Sequence, residues 1–218
     1  MDPVSDPHAG QPVLTSGPAL EKARAALVLL HGRGASAHSM LDLFHELQVD
    51  NLHAVAPQAA GNTWYPQSFL APLENNQPYL DSALAKVAAV VHGLVASGIP
   101  RERIALLGFS QGACLSSEFV VRHPARYGAV MALTGGVIGP PGAVRHDSGS
   151  LDGTPVFLGT SDPDMHVPLL RVEETRDLMT RMGAQVELRS YRGMPHTVNE
   201  EELEICRQML QRLTAEAS

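Results

Sequence analysis

The chain has 218 residues, of which 44% are apolar and 18% are charged, and its net charge is −7. This length suits one domain, and the apolar fraction excludes a disordered chain. The negative charge argues against a nucleic-acid partner, because phosphate binding needs a basic surface. Two cysteines are too few for a disulfide scaffold or a four-cysteine zinc site.

The N-terminus has neither the basic nor the apolar region of a signal peptide, and no apolar run appears long enough to span a bilayer. We therefore expect a soluble, cytoplasmic protein without stable membrane insertion. Residues 1–12 hold three prolines and little apolar content, which predicts a mobile N-terminal lead-in before a single domain at residues 13–218.

From residue 13 onward the predicted elements alternate between strands and helices. The strands are expected at 13–16, 25–30, 52–56, 104–109, 130–133, 156–158 and 186–191, and the helices at 36–47, 80–97, 111–122, 168–182 and 198–213. The continuous apolar run AALVLL at 25–30 is typical of a strand buried on both faces of a parallel sheet. The alternation predicts an α/β fold, with a mainly parallel central sheet and helices on both faces.

The sharpest motif is G-x-S-x-G at residues 108–112, between a predicted strand and a predicted helix. A serine on such a turn, here Ser110, is held in a strained backbone conformation that exposes its hydroxyl. The chain passes so close to itself that Gly108 and Gly112 must both be small. Ser110 is therefore the candidate nucleophile.

A serine hydroxyl needs a base to take its proton and an acid to orient that base, in the chain order Ser, Asp or Glu, His. His196 follows the last predicted strand, so it lies at the same sheet edge as Ser110 and is the candidate base. The acid must come from the loop after the preceding strand, where Asp162 and Asp164 are both suitable on chemistry alone. His166, nearby, is interpreted as a surface or loop-packing residue.

An oxyanion hole needs two backbone N–H donors. Gln111, directly after the nucleophile, is predicted to supply one, and Arg33, in the glycine-containing loop after the 25–30 strand, the other. The Arg33 side chain is interpreted either as solvent-exposed without a role or as a contact for an anionic substrate group.

The segments LHGRGAS, GFSQGA, SDPDMHVP and GMPHTV resemble, in order and spacing, the phospholipase/carboxylesterase family of small α/β-hydrolases. That family includes acyl-protein thioesterases and bacterial carboxylesterases, and the resemblance runs from about residue 25 to the last helix. The family pattern around the acid, aligned without gaps on residues 155–168, places its aspartate on Asp164. Counting from Gly159 instead would select Asp162.

The resemblance implies an α/β-hydrolase fold with little or no cap, and residues 135–153 show no helical pattern where larger hydrolases insert one. The Trp64–Phe69 loop should then form much of the acyl-side wall, with Trp64 and Phe69 as candidate pocket residues. Ordinary core packing is the alternative for this loop.

Together these features predict a serine carboxylesterase that forms an acyl-enzyme on Ser110 and needs no metal or cofactor. Its substrate is a small ester or thioester, and the sequence leaves a homodimer open. The alternatives are an acyl-protein thioesterase or lysophospholipase and, more remotely, a non-catalytic binding protein on a hydrolase scaffold.

Overall fold

A computed structural model describes residues 6–143 and 145–215. Its strands are β1 (Val13–Ser16), β2 (Ala25–Leu30), β3 (Leu52–Pro57), β4 (Ile104–Phe109), β5 (Ala129–Leu133), β6 (Pro155–Asp162) and β7 (Gln185–Arg192). Its α-helices are α1 (Ala37–Leu47), α2 (Tyr79–Ala96), α3 (Gln111–Arg122), α4 (Leu169–Arg181) and α5 (Glu200–Thr214). Short 3-10 turns lie at Leu20–Lys22, Ala60–Asn62, Leu73–Asn76 and Arg101–Arg103.

The strands form one seven-stranded sheet in the order β1-β3-β2-β4-β5-β6-β7. Only β1 runs antiparallel to its neighbour, and the pairs from β3 to β7 are all parallel. The predicted mainly parallel sheet is thus confirmed. Because loops after parallel strands emerge at one edge, those that follow β2, β4, β6 and β7 share the carboxyl edge.

Two apolar layers cover the sheet, which explains why its central strands are apolar throughout. In β2, Ala26, Val28 and Leu30 face the layer built with α2, α3 and α4, whereas the alternate residues Ala25, Leu27 and Leu29 face the layer built with α1 and α5. Side chains of successive strand residues point to opposite faces. The prediction of helices on both faces is therefore confirmed.

The described part of the expected lead-in is packed against the domain. His8 has no exposed surface. Its ring accepts a hydrogen bond from the Ala60 N–H (3.0 Å), and its other ring nitrogen bonds the Trp64 carbonyl oxygen (2.9 Å). Residues 6–12 thus differ from the mobile lead-in expected there, because one imidazole serves both a donor and an acceptor of the 60–64 backbone. Residues 1–5 lie outside the described residues.

Helix α2 is the one element in the described ranges with the length and hydropathy of a membrane span, with 18 residues and a mean hydropathy of 1.3. The expectation that no apolar segment reaches the length of a membrane span therefore does not hold for α2. Leu80, Leu84, Val87, Val91 and Leu94 of this helix are buried in the apolar core against the sheet. A helix that packs against a large central sheet also needs apolar residues of this kind on the face that it buries.

Candidate active site

Ser110 sits at the sharp turn between β4 and α3, with φ 53° and ψ −116°. This positive φ is rare for a residue with a side chain. The turn is possible because its flanking residues are glycines. A Cβ at Gly112 would overlap the Leu30 carbonyl oxygen, and one at Gly108 would overlap the carbonyl of Gly112. The close packing around the turn therefore holds Ser110 in the strained, partly exposed position that the motif predicts.

His196 reaches Ser110 from the loop after β7. Its Nε2 lies 2.9 Å from the Ser110 Oγ, within the range for a nucleophile and its base. The Phe109 ring packs 5.3 Å from the imidazole, centroid to centroid. Within the same loop, Asn199 caps α5 and so fixes where the loop ends. The two residues predicted as nucleophile and base are brought together.

Asp164 makes the contact with the other ring nitrogen: its Oδ2 lies 2.7 Å from His196 Nδ1. The Asp164 side chain has no exposed surface. The carboxylate also accepts hydrogen bonds from the Ser161 hydroxyl and from the backbone N–H groups of His166 and Val167. Of the two competing aspartates, the structure therefore places Asp164, and not Asp162, against the histidine.

These contacts set the charge of the acid. Burial alone raises the pKa of the Asp164 carboxyl. The hydrogen bonds from His196, from the Val167 and His166 N–H groups and from Ser161 outweigh burial and lower the pKa to about 2. Hydrogen bonds to a carboxylate favour its charged form. The group is therefore ionised at neutral pH, as an acid that orients an imidazole must be.

Asp162 has a different place in the same loop. It is the last residue of β6 and is paired in register with Arg192 of β7. Its carbonyl oxygen accepts the N–H of Gly193 (2.8 Å) at the start of the histidine loop. The Asp162 backbone thus joins β6 and β7, the strands that precede Asp164 and His196.

The two residues predicted to provide oxyanion donors flank Ser110. Gln111 is the first residue of α3, so its N–H is one of the helical donors that have no carbonyl partner within the helix. Arg33 lies in the loop after β2, and the preceding Gly32 approaches the serine so closely that a Cβ there would lie 3.5 Å from the Ser110 Cβ. The structure brings both residues to the site.

A cleft of about 450 Å³ opens beside Ser110. Its walls come from five segments, namely the loop after β2, residues 65–69, the turn at Ser110 with the start of α3, and the loops after β6 and β7. They are formed by Arg33, Tyr65, Pro66, Gln67, Ser68, Phe69, Ser110, Gln111, Cys114, His166, Val167 and His196. Phe69 is thus in the wall, as expected.

Trp64 is not in this wall, so its prediction as a pocket residue was wrong. Its side chain is fully buried, and its indole N–H donates to the His31 carbonyl oxygen (2.9 Å). The alternative of core packing holds for this residue. The next residue, Tyr65, lines the cleft instead. The Tyr65 side chain is itself buried in the same core cluster as Trp64, so Tyr65 belongs both to the core and to the cleft wall.

His166 is exposed on its loop, in agreement with its interpretation as a surface residue, and it has two further contacts. It lines the cleft, and its ring centroid lies 5.0 Å from that of His196 in an edge-to-face arrangement. Its position two residues after Asp164 was the available signal, since the carboxylate accepts the His166 N–H and turns the loop toward the site.

The Arg33 guanidinium neither points into solvent without contacts nor stands free for an anionic group. Its two terminal nitrogens donate to the Thr63 hydroxyl and to the carbonyl oxygens of Tyr65, Pro66 and Gln67. The side chain is exposed, as the first interpretation expected, but it holds the 63–67 segment, which gives it a role that neither interpretation named. Contact with an anionic substrate group stays a prediction. Within the described residues no cluster of three or more His, Cys, Asp or Glu is placed to hold a metal ion.

The model of the Phospholipase/Carboxylesterase family matches residues 17–214. The chain belongs to this family. Its crystallised relative from Dyadobacter fermentans DSM 18053, a phospholipase/carboxylesterase, is 43% identical, with a TM-score of 0.89 over 92% of this chain and 96% of that one. The predicted α/β-hydrolase fold is confirmed, and the protein is a hydrolase.

Two curated relatives have been given more specific names. A probable carboxylesterase SOBER1-like protein of Arabidopsis thaliana is 25% identical, over 90% of this chain and 82% of that protein. Acyl-protein thioesterase 1 of Saccharomyces cerevisiae is 32% identical over 56% of this chain, and the match spans only 55% of the yeast protein. Both names concern hydrolysis of a bond to an acyl carbon.

Proposed function

We propose that this hydrolase is a serine carboxylesterase that works through an acyl-enzyme on Ser110. The observation that carries the proposal is the chain of contacts from the Ser110 Oγ through His196 to the ionised Asp164 (2.9 and 2.7 Å). An imidazole held in this way can take the serine proton as the oxygen attacks an ester carbonyl. Family membership supports the same chemistry.

The N–H groups of Gln111 and Arg33 are proposed to hold the oxyanion that forms on the carbonyl oxygen. Collapse of this intermediate breaks the bond to the leaving alkoxide, which receives the proton from His196. Water, deprotonated by the same imidazole, then attacks the acyl carbon and releases Ser110 with the carboxylic acid. Asp164 stays charged throughout and stabilises the imidazolium.

This sequence of steps also orients the substrate. The leaving group must lie on the His196 side of the cleft, since that imidazole protonates it. The acyl group therefore extends to the opposite side, toward Tyr65 and Phe69. The described residues at 135–143 and 145–153 form no helix, which supports a site with a minimal cap or none. Open access of this kind suits small esters.

A thioesterase or lysophospholipase acting on a longer acyl chain is the second candidate, and the match to the yeast acyl-protein thioesterase favours it. We further propose a cytoplasmic enzyme, in keeping with two buried free thiols. It would act without a metal or cofactor, a nucleic-acid partner or stable membrane insertion. A homodimer is compatible with this function, and sedimentation measures the oligomeric state.

The test is labelling with a fluorophosphonate, which reacts with an activated serine, together with hydrolysis of p-nitrophenyl esters. The wild-type protein should be labelled, and Ser110→Ala should lose the label and at least about 10³-fold in kcat, as when a triad member is removed. Ser116→Ala, which removes a buried α3 hydroxyl outside the cleft, is the matched control. A folded Ser110→Ala protein with near-normal turnover would refute the proposal.

A further inference from the structure

The two residues proposed to supply the oxyanion donors use their side chains for a second purpose. Both side chains bind the same backbone segment, residues 63–67, which continues into the acyl-side wall of the cleft. Arg33 lies on the loop after β2 and Gln111 opens α3, so the segment is held from two independent elements of the fold.

Arg33 binds the segment with four hydrogen bonds. One terminal nitrogen donates to the Thr63 hydroxyl (3.2 Å) and the Pro66 carbonyl oxygen (2.9 Å). The other donates to the carbonyl oxygens of Tyr65 (3.0 Å) and Gln67 (2.7 Å). The four N–H bonds of these nitrogens are thus all engaged, in the fixed planar geometry of a guanidinium.

Gln111 binds the same segment in a complementary way. Its side-chain NH₂ donates to the Tyr65 carbonyl oxygen (2.8 Å), while its amide oxygen accepts the Trp64 N–H (2.9 Å). The Tyr65 carbonyl therefore receives one hydrogen bond from each oxyanion residue. A carbonyl oxygen has two lone pairs, so this acceptor is filled.

The loop after β2 and the loop that contains the 63–67 segment are joined by two further hydrogen bonds. The Trp64 indole N–H donates to the His31 carbonyl oxygen (2.9 Å), and the Gly34 N–H donates to the Asn62 carbonyl oxygen (2.8 Å). These bonds remain when the Arg33 side chain is changed, and Tyr65 and Gln67 keep their bonds to Gln111 and Asn76. The loop therefore stays attached, and its outer part loses the hydrogen bonds that Arg33 donates to the carbonyl oxygens of residues 65–67.

We propose that the Arg33 side chain is a positioning residue that sets acyl-chain specificity, by fixing the wall at Tyr65–Phe69 relative to the oxyanion donors. This inference rests on the proposed function. A long acyl chain contacts the wall, and its carbonyl must at the same time sit between the donors. A short acyl group needs only the donors. Loss of the guanidinium leaves the Arg33 N–H in place, so the effect must depend on acyl length.

The experiment compares p-nitrophenyl acetate with p-nitrophenyl octanoate on wild type, Arg33→Ala and Arg33→Lys. We expect the ratio of kcat/KM on octanoate to kcat/KM on acetate to fall about 10- to 100-fold in Arg33→Ala, the scale of a displacement of about 1 Å. Arg33→Lys keeps the charge but not the planar fork, so it should resemble Arg33→Ala.

The single tryptophan gives a readout that does not depend on turnover. Trp64 is fully buried and belongs to the 63–67 segment that Arg33 and Gln111 hold. Acrylamide should quench its fluorescence faster in both Arg33 variants, at unchanged overall fold by circular dichroism. Arg207→Ala is the matched control, since that guanidinium also binds backbone carbonyls, those of Leu47 and Glu46, but on the α1 and α5 face. It should leave both readouts unchanged.

Several outcomes would overturn the inference. An equal loss on both esters would assign Arg33 to the oxyanion site alone, and unchanged activity would remove its role in specificity. Full activity in Arg33→Lys would make charge, not geometry, the relevant property. Failure of Ser110→Ala to lose activity would instead refute the esterase mechanism, and the quenching comparison would still decide whether Arg33 holds the wall.

Discussion

Glu202 is a buried acid that faces an unfavourable environment, and its removal should stabilise the protein at alkaline pH. It lies in the first turn of α5 with no exposed surface. One carboxyl oxygen accepts the Asn199 N–H (2.9 Å), and the other has no hydrogen-bond partner among the described residues. It is packed against Gly159, where a Cβ would collide with that second oxygen.

Burial is the main cause that raises the pKa of Glu202 from 4.5 to about 7, with a smaller contribution from the Glu201 charge, and the bond from Asn199 opposes it. At about 1.4 kcal/mol for each tenfold change in acidity, the charged form costs the folded state about 3 kcal/mol. Because the folded state holds this proton more tightly than the unfolded chain, stability falls as pH rises between about 4.5 and 7, and it is constant above that range.

Glu202→Gln carries no charge at any pH. Its amide oxygen can still accept from Asn199, but its NH₂ group lacks a partner, at a cost of about 1–3 kcal/mol. The free energy of unfolding of the variant, relative to wild type, should therefore increase by about 2–3 kcal/mol from pH 5 to pH 8. Urea denaturation at both pH values, with equal m-values, measures this difference.

Glu201→Gln is the control, because Glu201 is the adjacent acid but is exposed and pairs with Arg189. It should shift stability only slightly, with a small gain at pH 8 relative to pH 5, because the Glu201 charge contributes little to the raised pKa of Glu202. If the difference between Glu202→Gln and wild type were the same at pH 5 and pH 8, Glu202 would be ionised at both, and the argument from burial would be wrong.

Two further predictions concern the acid and the N-terminal segment. Asp164→Asn should lose about 10⁴-fold in kcat without unfolding, because an amide can hold the wrong imidazole tautomer. Asp162→Asn keeps its backbone bond to Gly193 and should lose far less activity. A similarly large loss of kcat in Asp162→Asn would contradict the assignment of Asp164. His8→Ala should lower the free energy of unfolding by about 2 kcal/mol at pH 8, because the Ala60 N–H and the Trp64 carbonyl lose their partner. Since burial lowers the pKa of His8, its contribution should decrease as pH falls below about 6.5. Urea denaturation across this range is the measurement, and a variant as stable as wild type at pH 8 would show that the His8 contacts contribute nothing.

Most of the fold was predictable because its signals are local. The apolar run at 25–30 predicts a buried strand, and the structure has β2 there. The glycines that flank Ser110 predict a sharp turn, and the structure has that turn between β4 and α3. The strand at 156–158 was predicted too short, since β6 extends to Asp162. Its last residues are polar and resemble a loop, and only pairing with β7 in register keeps them extended.

What the sequence could not predict is the set of contacts between distant loops. Nothing near His8 in sequence indicates that its ring binds the backbone 52 and 56 residues further on, so proline content alone predicted a mobile segment. Trp64 and Tyr65 are adjacent, aromatic and both buried in the core, yet only Tyr65 also borders the cleft. Their placement depends on the hydrogen bonds that hold this backbone, and the partners, Arg33 and Gln111, lie far away in the sequence.

Arg33 illustrates why a residue's role can divide between its backbone and its side chain. Its position after β2 was enough to predict the N–H as an oxyanion donor, since sheet topology places that loop beside Ser110. Its charge suggested an anionic ligand, but a guanidinium is equally suited to several carbonyl oxygens of one turn. The 63–67 segment presents its carbonyl oxygens to Arg33 because Gln111 fixes the Trp64 N–H and the Tyr65 carbonyl from the other side. Residues 65–67 of the cleft wall are therefore held by the same two residues as the proposed oxyanion hole, and we expect substitution of their side chains to change acyl specificity.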